Sequence, residues 1–142
     1  MAVTPPPQPH IAPIGPTNRY ILLDDYVYEW DYEGERFRVV VSKSFEFDMA
    51  SVPRIAWPLM SQFELGPAAV PHDWLYHHKG KLPAGSYQMK TDSGWEDVPY
   101  EWPRRDVDRL FGRMMRESGV VPWRRRTAYI IVRLFGFCAW LT

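Results

Sequence analysis

The chain has 142 residues, 46% hydrophobic and 15% aromatic, with seven tryptophans. That length favours one domain around one core, and so much apolar area excludes a disordered tail. The formal net charge is zero, which removes any whole-molecule electrostatic argument for nucleic acid or an acidic partner.

Residues 1–18 carry six of the fourteen prolines and read as an extended proline-rich arm. This segment lacks the basic start and apolar stretch of a signal peptide, so synthesis in the cytoplasm is expected. Residues 19–142 read as a single α+β domain. Tyr20–Leu23, Tyr26–Trp30 and Arg36–Val41 are rich in β-branched and aromatic residues, and Asp31–Gly34 supplies a turn between the last two. These runs predict a small antiparallel sheet of about three strands.

Asp48–Arg54 leaves the sheet as a loop, because Pro53 biases Val52 toward extended backbone. A short helix is expected near 55–62, then a longer one from Pro67 to about His78, with Pro71 accommodated early in it. Residues 79–102, with three glycines and two prolines, read as an inserted loop or hairpin. Two helices close the chain. Pro103–Glu117 carries Val107, Leu110, Phe111, Met114 and Met115 on one stripe and stops at Gly119; the other runs from near Pro122 towards Trp140.

The terminal third is basic, with nine arginines against four acids from Glu101 onward. Those arginines either face phosphate or lie on solvated helix faces. Two roles are open to the last helix: the buried partner of the site helices, or a peripheral anchor at a membrane surface. Its apolar run, Thr127–Thr142, is interrupted by Arg133 and falls short of the ~20 residues that span a bilayer. Cys138 is the sole cysteine, so no intramolecular disulfide is expected.

The residues with the clearest chemistry are His72, Asp73 and Tyr76. On a helix His72 and Tyr76 share a face, while Asp73 points about 100° away. Asp108, on the next long helix, is placed to fix the His72 tautomer and to stabilise an imidazolium there. Asp48, at the strand-to-loop exit, suits a hard cation that Asp73 would complete. Asp106 reads better as a favourable charge in the first helical turn, and Ser51 as a helix cap. His77 and His78 match no zinc spacing.

The motifs D-M-A-S-V-P-R at 48–54, P-H-D-W-L-Y at 71–76 and D-R-L-F at 108–111, with the arginine-rich terminal helix, resemble a family of small phage and prophage proteins of unknown function. The resemblance covers roughly residues 20–140. More distantly, H-D-x-x-Y followed by a helical Asp is similar to the catalytic helices of the prokaryotic phospholipase A2 superfamily. That similarity implies a three-helix phospholipase-A2-like core after the sheet, with His72 as general base, Asp108 orienting it and Tyr76 bonded to Asp108. It also implies Ca2+ held by Asp48, Asp73 and the Met49 carbonyl, and a candidate calcium-dependent hydrolase of phospholipid acyl esters. The alternative is a non-catalytic virion or tail component whose proline-rich arm docks on other phage structural subunits. A nucleic-acid partner is not expected; an accessory role through the C-terminal arginines is the third class.

Overall fold

The computed structural model describes residues 6–15, 19–48 and 62–141. In chain order the elements are β1 (Ile11–Ile14), β2 (Arg19–Leu22), β3 (Tyr26–Tyr32), β4 (Glu35–Val41), β5 (Glu46–Asp48), α1 (Gln62–His77), β6 (Tyr87–Thr91), β7 (Gly94–Asp97), α2 (Arg104–Glu117) and α3 (Pro122–Leu141). The short helix expected near 55–62 falls almost wholly outside the described residues.

The chain is an α+β fold, but the expected single sheet of about three strands leading into a three-helix core is wrong. Two antiparallel sheets form, one ordered β1-β2-β5 and one ordered β3-β4-β6-β7. The β6–β7 hairpin lies between α1 and α2 in sequence, so strand formation does not finish before the helices begin.

Each departure has a local cause. Pro13 lies in β1, at the edge of the first sheet, where its missing N–H costs no ladder bond. The Leu23 N–H donates to the His10 carbonyl and the Tyr26 hydroxyl to that of Pro7, which fasten this stretch to its own domain. In the second sheet, β6 pairs with β4 in the register Phe37↔Met89. Ser86 fixes that pairing: its hydroxyl donates to the Val40 carbonyl at 2.8 Å and accepts from the Trp74 indole of α1, also at 2.8 Å.

Period-two burial is clear in β3, where Tyr26, Tyr28 and Trp30 point inward, and in β4, where Val39 and Val41 do. Glu33 and Gly34, both at positive φ, make the two-residue turn between these strands. The α1 helix packs on β4, β5, α2 and α3. It buries side chains around much of its girth, including Ala68, Val70, His72, Trp74, Leu75 and Tyr76, as a central helix must. Such burial holds Pro67 and Pro71 inside the helix although each deletes a backbone bond. By contrast α2 is amphipathic, with Val107, Leu110, Phe111, Met114 and Met115 buried and Arg105, Arg109 and Arg116 outside.

After α1 the chain turns through Lys79 and Gly80, both at positive φ. The Gly80 N–H returns to the Leu75 carbonyl at 2.9 Å, and the Trp102 N–H donates to the Gly80 carbonyl at 2.9 Å. A Cβ on Gly80 would sit 2.0 Å from the Trp102 carbonyl oxygen, whereas one on Gly119, also at φ +81, would meet open space. Gly80→Ala is therefore expected to cost about 3 kcal/mol through strain and backbone displacement. Gly119→Ala should cost about 1 kcal/mol, and urea unfolding of the two variants checks the difference.

Candidate functional site

Three helices converge on one carboxylate. Asp108, on the buried face of α2, is 0% exposed. Its Oδ1 lies 2.9 Å from His72 Nε2 and accepts the Tyr76 hydroxyl at 2.6 Å. Its Oδ2 accepts Arg133 Nη1 from α3 at 2.7 Å, with Arg104 Nε at 3.8 Å. Arg104 also donates through Nε to the Tyr76 oxygen at 3.1 Å and through Nη2 to the carbonyls of Val132 and Arg133. The carboxylate thus ties α1, α2 and α3 together through charge-assisted bonds.

The His72 and Tyr76 rings, one turn apart on α1, lie 4.2 Å centre to centre, and Phe111 covers His72 at 4.6 Å. Because an ionised carboxylate only accepts, Nε2 of His72 carries the proton towards Asp108. In the neutral ring Nδ1 then holds the lone pair, and it lies 3.7 Å from Asp73 Oδ1, beyond hydrogen-bond reach.

Burial alone would depress the basicity of His72, but the hydrogen bond to Asp108, reinforced by Asp73, leaves its pKa raised. Burial would likewise raise that of Asp108; donors from His72, Tyr76 and Arg133 outweigh it, and the carboxyl is held below its usual range. Burial and the Asp108 charge push the Tyr76 hydroxyl up, so it remains a donor.

His72, Tyr76 and Asp108 are therefore in mutual contact, and Asp73 sits on the other edge of the imidazole. Asp48 ends β5 with its backbone paired to Arg19, but its side chain and Met49 lie outside the described residues, as does Ser51. Calcium takes six to eight oxygen ligands. Among the described residues no group of three or more His, Cys, Asp or Glu is placed to hold a metal ion. Asp106 is elsewhere, accepting the Tyr100 hydroxyl at 2.8 Å. His77 packs edge-on against Phe45, and His78 against Trp74.

Sequence reasoning missed three residues here. Arg104 precedes Asp108 by four positions on the same helix, a spacing that could have shown it. Arg133 interrupts an apolar run, which is the mark of a charge with a buried partner. Gly136 gave no signal, yet a Cβ there would stand 2.9 Å from the Tyr76 hydroxyl; its bare backbone lets α3 approach.

A family model described as "Protein of unknown function (DUF1353)" matches residues 20–132, and the chain belongs to that family. No curated protein and no solved structure matches it.

Asp108→Asn breaks a buried charge network and is expected to cost about 3 kcal/mol at neutral pH. The lowered Asp108 pKa contributes stability above the unfolded carboxyl value, lost as pH falls through the folded one. The raised His72 pKa contributes stability below the unfolded imidazole value, lost as pH rises through the folded one. Urea midpoints measured from acid to alkaline pH should show both slopes in the wild type; in Asp108→Asn the Asp108 contribution should be lost and that of His72 reduced.

Proposed function

We propose that this DUF1353 chain is a phage- or prophage-encoded hydrolase that uses His72 to activate water against a phospholipid acyl ester. The observation that supports it is the asymmetry of the imidazole: Nε2 is fixed on Asp108 at 2.9 Å while the Nδ1 edge faces Asp73 at 3.7 Å. A general base needs one nitrogen held as N–H and the other left basic.

In the proposed reaction Nδ1 takes a proton from water as the water oxygen attacks the ester carbonyl carbon. The imidazolium is stabilised by Asp108 on one edge and Asp73 on the other. On collapse of the tetrahedral intermediate, the C–O bond to the glycerol oxygen breaks and Nδ1 returns the proton to that oxygen. A fatty acid and a lysophospholipid leave, with His72 neutral again. Tyr76, Arg104 and Arg133 act as positioning residues, because they hold Asp108 rather than meet substrate. The phospholipase resemblance assigns Ca2+ to Asp48, Asp73 and the Met49 carbonyl, where it would polarise the ester carbonyl.

A second reading is favoured by burial. His72 is only 2% exposed and Asp108 fully enclosed, and both carboxylate oxygens are engaged. A saturated buried network also suits a non-catalytic virion or tail component, in which these residues only lock three helices.

The two readings diverge under His72→Gln. Catalysis predicts that turnover of a fluorogenic phospholipid falls about 10²–10⁴-fold while circular dichroism stays native. It also predicts that wild-type kcat/KM climbs with pH, because His72 must be deprotonated, with its inflection above the ordinary imidazole value. A folded wild type without turnover, with or without calcium, would reject the hydrolase and leave the structural reading.

A further inference from the structure

The outer side of the α2–α3 pair carries more positive charge than the described carboxylates near it neutralise. A cleft of about 440 Å³ lies between these helices, lined by Arg109, Arg113, Arg116, Arg125 and Arg126, with Ile130 also on its wall. Among the described residues no acidic side chain lines it. Glu117 engages Arg113 at 3.0 Å, and Asp106 lies 3.8 Å from Arg109. Two nearby carboxylates thus face five guanidiniums, an excess that favours an anion with several oxygens.

A second feature adjoins it. Trp123, Ile130, Leu134, Phe137 and Leu141 are each more than half exposed. At 100° per residue they fall on one stripe of α3, about 27 Å long. Ile130 belongs to both the stripe and the cleft wall. Among the described residues no helix is long and apolar enough to cross a membrane, so this helix would lie along a surface rather than span it.

We infer that the α2–α3 face docks flat on an anionic phospholipid surface, with lipid phosphates in the arginine cleft and the Trp123–Leu141 stripe among the acyl chains. The two features together select this occupant. A free phosphate or a nucleic acid would satisfy the arginines and leave the apolar stripe in water. A second copy packed about a two-fold axis would cover the stripe but bring arginine against arginine. Only a surface apolar within and anionic at its edge complements both. The inference is read from α2 and α3 alone and does not require His72 to be catalytic.

Co-sedimentation with vesicles tests it, comparing equal parts phosphatidylglycerol and phosphatidylcholine against phosphatidylcholine alone. Binding to the anionic vesicles should be at least about tenfold tighter and should weaken as salt is raised. Arg116→Glu with Arg126→Glu should weaken it by at least roughly thirtyfold, and Leu134→Ser with Phe137→Ser by about tenfold or more. All these side chains are exposed, so circular dichroism should stay native. His72→Gln should bind as the wild type does, which separates docking from chemistry. Equal affinity for neutral vesicles, no vesicle binding, or binding unmoved by both double variants would overturn the inference. So would a dimer without vesicle binding that Leu134→Ser with Phe137→Ser dissociates, or tighter binding to duplex nucleic acid than to anionic vesicles.

Discussion

A carboxylate taken wholly out of water has to be matched by donors, and the packing of this protein's three helices follows from how Asp108 is matched. Its two oxygens draw a histidine and a tyrosine from α1 and an arginine from α3. Arg104, one turn before it on α2, spreads the network to the α3 backbone at Val132 and Arg133. Removing one partner of such a group leaves an uncompensated buried charge, which costs more than the bond itself. The helices can therefore settle only where these donors all reach. Gly136 marks the limit of that approach, because any side chain there would press on Tyr76.

The sheets hold α1 where Asp108 can use it. Trp74 is anchored through Ser86 to the Val40 carbonyl, so the helix, the hairpin connection and β4 share one polar joint inside an apolar surround. Tyr28, fully buried in β3, donates to Glu117 at 2.6 Å at the far end of α2. Aromatic packing completes the frame: Trp30, Phe37 and Tyr87 stack across β3, β4 and β6, and Trp102, just before α2, packs edge-on against Tyr87. The segment between the helices is thus part of the wall against which they are set.

The sequence shows these elements unevenly, for physical reasons. The runs in β3 and β4 announce themselves through their β-branched and aromatic residues, which the buried face of the sheet requires. Prolines disguise β1, since nothing in the local sequence says that Pro13 will occupy an edge. The strands β6 and β7 have five and four residues, too short for a period to stand out, and owe their form to the pairing of β6 with β4 and of β7 with β6. The α1 helix begins at Gln62, before the expected start at Pro67. At the site, the four-residue spacing puts His72 and Tyr76 on one face without any structure. The reach to Asp108 and the arrival of Arg133 depend on helix packing, which spacing along the chain does not encode.

The functional account reduces to the state of one imidazole. If Asp108 fixes His72 as described, the neutral ring carries its proton on Nε2, Nδ1 is the basic edge, and the imidazolium is favoured over that of a free histidine. Nitrogen-detected NMR of the histidine rings across a pH titration, with His72 assigned by His72→Gln, reads all three together. The account predicts an Nε2–H tautomer at high pH and a His72 titration above about 6.5. An Nδ1–H tautomer, or a His72 ring that stays neutral below that value, would contradict it.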